Sequence, residues 1–194
     1  MSRDPTSAII VVSGLPRSGT SLMMRMLQAG GVPVLTDGVR AADADNPFGY
    51  FEFAPVRLVA RDADWLAAAR GKAVKVISPL LDRLPRDHAY QVLFMRRDLD
   101  AILASQARML ERRGETGPDP QRLKAEFASH LEQTHHLLAG NPAFAVHVVD
   151  FSRLLETPAP LVRGIGRFLG RPLDEPAMRA CIDPSLDHHG ADQR

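Results

Sequence analysis

The sequence predicts an α/β fold of three layers, a central and mostly parallel sheet with helices on both faces. Short apolar runs rich in β-branched residues recur at Ala8 to Val12, Ala73 to Ile77, Gln91 to Met95 and Ala145 to Val149. Helix-like segments separate them, which is the alternation of a parallel sheet with helical crossovers. The first run leads through Ser13-Gly14-Leu15-Pro16-Arg17-Ser18-Gly19-Thr20-Ser21 into the helical run Leu22 to Leu27. A strand, a turn rich in Gly and Pro and then a helix start presents free backbone N–H groups and a positive helix end to a phosphate. An anionic nucleotide is therefore the first ligand to expect.

The remaining elements follow in order. After the first helix, Gly30 to Gly49 is irregular, with Pro33, Gly38 and Pro47 beside Asp37, Asp43 and Asp45. A loop of that length in a compact domain is often functional, so acceptor contacts are expected here. Pro55 opens a helix that runs to about Arg70, with Gly71 as its stop. Arg86-Asp87-His88 reads as a turn before the strand Gln91 to Met95. The helix after that strand carries Leu99, Ile102, Leu103, Met109 and Leu110 at helical spacing, a core stripe from which Ser105 is offset. Glu111 to Pro120 has no apolar period and concentrates charge and turn residues, as an exposed loop or lid would. Asp119-Pro120 opens a helix ending near Gly140, and Thr157-Pro158 opens one closing at Gly170.

Composition limits the function classes. At 194 residues and 45% hydrophobic content the chain can bury one full core, so a single domain over residues 1–194 is expected. A formal net charge of +1 argues against general binding to nucleic acid or membrane surfaces, and any anion site must be a local cluster. Of the 24 basic residues only Lys72, Lys75 and Lys124 are lysines, a bias that suits anion recognition but is better explained by base composition. The single cysteine, Cys181, allows no intramolecular disulfide and reads as a buried inert thiol. No run reaches membrane-spanning length and Ile9 to Val12 is too short for a signal segment, so a cytoplasmic protein is expected. Homodimerisation is left open.

The spacing of Gly14, Gly19 and Ser21 resembles the P-loop of ATP and GTP enzymes, but Thr20 stands in the lysine slot and the nearest cation, Arg17, lies inside the loop. Moving that cation argues for a donor other than a nucleoside triphosphate. The hexapeptide Pro16-Arg17-Ser18-Gly19-Thr20-Ser21 resembles the 5′-phosphosulfate loop of the sulfotransferase family, Pro-Lys/Arg-Ser-Gly-Thr-Ser/Thr. In that family a strand ends in an arginine, and a serine eight residues later joins it on the donor's 3′-phosphate. Arg97 and Ser105 have that spacing, directly after the strand Gln91 to Met95. The family commonly places Asn-Pro or Asp-Pro after the arginine, whereas this chain has Asp98-Leu99, so Arg96 competes for the role. Val149-Asp150-Phe151-Ser152-Arg153-Leu154-Leu155-Glu156-Thr157-Pro158 is similar to the family's Tyr-Glu-Asp-Leu-Leu-x-x-Pro segment, and Phe168-Leu169-Gly170 to the end of its last large helix.

The resemblance implies sulfuryl transfer from 3′-phosphoadenosine 5′-phosphosulfate (PAPS), with adenosine 3′,5′-bisphosphate (PAP) as product, to a hydroxyl or amine of a small-molecule or glycan acceptor. No metal is required, and the adjacent pairs His135-His136 and His188-His189 do not share a helix face. Arg17 and the amides of Ser18 to Ser21 would stabilise charge on the leaving phosphate. Cytosolic members carry a Lys-x-His segment with His as the base. Here Lys75 matches the lysine, while Ile77 stands where the histidine would be. Other branches use a glutamate after the first helix, which makes Glu52 one candidate base; its alternative is a surface carboxylate at a helix start. His88 is the other candidate. A kinase or nucleotide hydrolase using the same loop, or a nucleotide-binding protein without catalysis, remain the competing classes.

Overall fold

The order of elements follows from where apolar runs can pair and where glycine and proline stop them. The structure, a computed structural model, describes residues 7–43 and 46–183; Asp45 and His188-His189 lie outside them. Five strands, β1 (Ile9–Gly14), β2 (Val34–Leu35), β3 (Ala73–Lys75), β4 (Tyr90–Arg96) and β5 (Phe144–Asp150), form one sheet in the order β2-β3-β1-β4-β5. Every pairing is parallel. The helices are α1 (Thr20–Ala29), α2 (Trp65–Ala69), α3 (Leu99–Arg112), α4 (Pro120–Gly140), α5 (Phe151–Glu156), α6 (Pro158–Leu169) and α7 (Glu175–Ala180). Among the described residues no helix is long and apolar enough to cross a membrane.

The alternation of side chains along β1 builds the three layers. Ile10 and Val12 face a core shared with α1, α5, α6 and α7, through residues such as Met23, Leu27, Leu154, Ile165 and Met178. Ile9 and Val11 face the opposite core, with Val56, Trp65, Leu66, Tyr90 and Leu138. All six residues of β1 are buried, as a central parallel strand covered on both faces requires.

Two elements differ from the sequence expectation. The helix expected from Pro55 to Arg70 is broken: a 3-10 turn over Ala54–Leu58 and the short α2 are separate pieces. Between them the Asp62 carboxylate accepts the Asp64 amide at 3.1 Å, a local bond that competes with helix continuation. Inside the irregular stretch, β2 adds two residues to the edge of the sheet, too few to leave a periodic signal. The helices expected from Pro120 and from Pro158 form as read; Asp119 caps the former by accepting the Arg122 amide at 2.8 Å.

Candidate functional site

In a parallel sheet all strand carboxyl ends lie on one edge, and ligands of open α/β folds bind beyond it. The ends of the neighbouring strands β3, β1 and β4 carry Lys75, the loop after Gly14, and Arg96-Arg97. A cavity of about 650 Å³ opens there, walled by the β1–α1 loop, Arg97 and the second half of α3, Arg40 with the segment 46–52, and the first turns of α4.

The β1–α1 loop is held by its own backbone. The Ser18 hydroxyl and amide both donate to the Leu15 carbonyl, at 2.7 and 3.2 Å, so Ser18 shapes the loop from its buried side rather than lining the cavity. Arg17 adopts φ 67°, a left-handed conformation uncommon in non-glycine residues. Gly19 has φ 98°, and a Cβ there would collide with the Phe151 ring. The absent side chain lets the loop close onto α5. Gly19 is the N-cap of α1 and, among the described residues, no side chain caps this helix, so no side chain satisfies its first-turn amides. Pro16, Arg17, Gly19, Thr20 and Ser21 line the wall.

The second wall joins the first through two arginines. Arg17 Nε donates to Ser105 Oγ at 3.0 Å, across 88 positions of sequence, and Arg97 Nη1 donates to the Arg17 carbonyl at 3.0 Å. The Arg97 guanidinium lies 4.4 Å from the centre of the Phe151 ring. Arg96 turns away: it pairs with Asp150 at 3.1 Å, its side chain 61% exposed, and does not line the cavity. Of the two rivals, the structure therefore brings Arg97 to Arg17 and into the cavity that Ser105 also lines. Asp98, which departs from the family pattern, caps α3 by accepting the Ala101 amide at 3.0 Å.

Lys75 Nζ donates to Ser21 Oγ at 3.1 Å and to the Tyr50 carbonyl at 3.0 Å. Burial lowers its pKa to about 8; Arg40 and Arg17 push in the same direction and Glu52 opposes them. Glu52 lines the cavity, held by Arg40 at 2.8 Å and by Arg57 at 3.0 Å. Ile77 lines the same cavity. His88 is elsewhere. It precedes β4 at the amino edge of the sheet, 2.9 Å from Asp87 and stacked on Tyr90. The site residues expected from sequence thus separate: Arg17, Arg97, Ser105, Lys75 and Glu52 converge, whereas Arg96 and His88 stay outside.

Several cavity residues were not singled out from the sequence. Arg40 and Phe48 belong to the irregular stretch Gly30 to Gly49, where acceptor contacts are expected, and Tyr50 directly follows it. Arg113 comes from the charged loop after α3 and pairs with Asp43 at 3.5 Å. Arg25 had a readable signal, being the only charged residue in the apolar run Leu22 to Leu27. Phe127 of α4 had none.

No family model matches the sequence, and no curated protein sequence matches it. Solved structures do. A sulfotransferase domain from the Synechococcus PCC 7002 olefin synthase superposes with a TM-score of 0.59 at 15% identity, over 96% of this chain and 88% of that one. A sulfotransferase domain from the curacin biosynthetic pathway gives 0.53 at 16% identity, over 93% and 89%. What is shared at these identities is the architecture: the chain has the α/β fold of these sulfotransferase domains.

Proposed function

We propose that the protein transfers a sulfuryl group from PAPS to an acceptor hydroxyl or amine. The observation that carries this reading is the Arg17–Ser105 hydrogen bond at 3.0 Å, which ties the loop before α1 to the helix after β4. It makes one wall from two anion-binding elements, as a donor with separate 5′ and 3′ anionic groups needs. The residues fit such a donor. The uncapped amino end of α1 and Arg17 suit the 5′-phosphosulfate, and Arg97 with Ser105 suits the 3′-phosphate.

The donor supplies an activated sulfuryl group; in the transfer a bond forms from acceptor oxygen or nitrogen to sulfur while the sulfur–phosphate oxygen bond breaks. Fixed amides and the Arg17 cation favour the charge that then gathers on the departing phosphate. Lys75, bonded to Ser21, adds a cation beside the first turn of α1. Glu52 is the cavity carboxylate that takes the acceptor proton. Arg40 and Arg57 hold it in place through two ion pairs.

Calorimetric titration with PAP, set against ATP plus Mg²⁺, tests the reading. Binding of PAP at least about tenfold tighter is expected, because the second phosphate adds charge-assisted contacts that ATP cannot make there. Tighter binding of ATP with Mg²⁺ would instead favour a kinase or hydrolase.

A further inference from the structure

Arg25 stands apart from the other cations of the cavity. Arg17 is bonded to Ser105, Arg97 to the Arg17 carbonyl, Lys75 to Ser21 and the Tyr50 carbonyl, Arg40 to Glu52, and Arg113 to Asp43. Arg25 also lines the cavity, yet its Nη1 is closed off from solvent and has no hydrogen-bond acceptor among the described residues. A buried, charged N–H without an acceptor is costly, and a carboxylate placed on it removes the cost. The guanidinium lies 3.4 Å from the centre of the Phe48 ring. Stacking covers one face and fixes the plane, and a planar carboxylate matches the guanidinium edge lying in that plane.

Position along α1 says what Arg25 would bind. Ser21 and Arg25 are four residues apart and share a helix face, so Arg25 lies roughly one turn, about 5.4 Å, beyond the residue that touches Lys75. The phosphates of a nucleotide gather at the first-turn amides, one turn earlier. Leu22, Pro47 and Phe48 give this part of the cavity an apolar surface.

We infer that the acceptor is an alcohol or phenol bearing a carboxylate about one helical turn from its hydroxyl, and that Arg25 is the residue that selects it. The inference rests on the sulfotransferase reading for the hydroxyl, while the carboxylate contact stands on Arg25 alone. The probes are 4-hydroxyphenylacetate and its neutral counterpart 4-hydroxyphenylacetamide, titrated into the full chain saturated with PAP. Wild type should bind the carboxylate about tenfold or more tightly than the amide. Arg25→Met keeps a stem on Phe48 and removes the charge; it should bring the two probes to equal affinity and leave PAP binding unchanged. Should Arg25→Met fail to fold by circular dichroism, Arg25→Gln serves in its place. Equal affinity or no binding of either probe in wild type overturns the inference. So does a carboxylate preference that survives the substitution. A loss of PAP affinity as large as that of Arg17→Ala would place Arg25 on the donor instead, which also overturns it. If wild type binds no PAP, the donor reading fails separately, and the same two probes titrated without PAP still decide for or against Arg25.

Discussion

The two walls of the cavity are held in different ways. The wall of the β1–α1 loop and the β4–α3 junction is fixed by backbone: a left-handed Arg17, Gly19 pressed on Phe151, and Ser18 folded onto the Leu15 carbonyl. The opposite wall, residues 36–43 and 46–54, has almost no regular structure and is laced by polar side chains. Asp37 accepts the Ala54 and Val39 amides, which hold its carboxyl below the usual range. Tyr50 donates to Asp43 at 2.7 Å, and Arg40 and Arg57 grip Glu52. Close-packed backbone tolerates almost no substitution, whereas exposed ion pairs contribute about 0–1 kcal/mol each and can be exchanged. The difference suits a site in which one wall grips an invariant donor and the other is adjusted to its acceptor.

The largest effect is expected where the laced wall does chemistry rather than support. Glu52→Gln keeps the shape and the donor contacts but cannot take a proton. Transfer from PAPS to 4-hydroxyphenylacetate in single turnovers should fall roughly a hundredfold to ten-thousandfold, with PAP affinity unchanged. His88→Asn, at the far edge of the sheet, should transfer at the wild-type rate. A Glu52→Gln protein within severalfold of wild type would reduce that wall to scaffolding.

Two glycines then measure the walls directly. Both have positive φ, 98° at Gly19 and 87° at Gly49, but a Cβ at Gly19 meets the Phe151 ring while one at Gly49 meets nothing within 4 Å. Gly49→Ala should cost only the left-handed strain, about 1–2 kcal/mol. Gly19→Ala adds overpacking of about 1–3 kcal/mol and should weaken PAP binding as well. Urea unfolding of the two variants reads the difference. Equal costs would mean that α5 yields, and that the donor wall is less rigid than its packing indicates.

The same contrast explains what could be read in the sequence. The sheet and the long helices announce themselves through β-branched runs and through Pro120, Pro158 and Gly170, because burial on both faces and helix ends leave local signals. The β1–α1 loop was legible for a related reason: Gly14 and Gly19 both have positive φ, so the backbone requires glycine twice within one short stretch of chain. The laced wall was not. Arg113 and Asp43 are seventy positions apart, and nothing local to either tells that they meet. The spacing to Ser105 favoured Arg97 but left Arg96 a rival, since which one turns inward depends on Asp150 of β5 pairing with the other.

That pair gives the smallest effect and the finest test of the donor wall. Arg97 reaches the Arg17 carbonyl and packs on Phe151, so Arg97→Ala removes a cation and a brace of the loop together. PAP affinity should fall by about 1.5–3 kcal/mol, the usual loss for a charged contact. Adenosine 5′-phosphate, which lacks the 3′ group, should lose much less. Arg96→Ala breaks only an exposed ion pair with Asp150, worth less than about 1 kcal/mol, and should leave both nucleotides nearly unaffected. Equal losses of the two nucleotides in Arg97→Ala would make this arginine a brace of the loop and not a phosphate ligand. A selective loss in Arg96→Ala would require the end of β4 to turn over on binding, since Arg96 must leave Asp150 to reach the cavity.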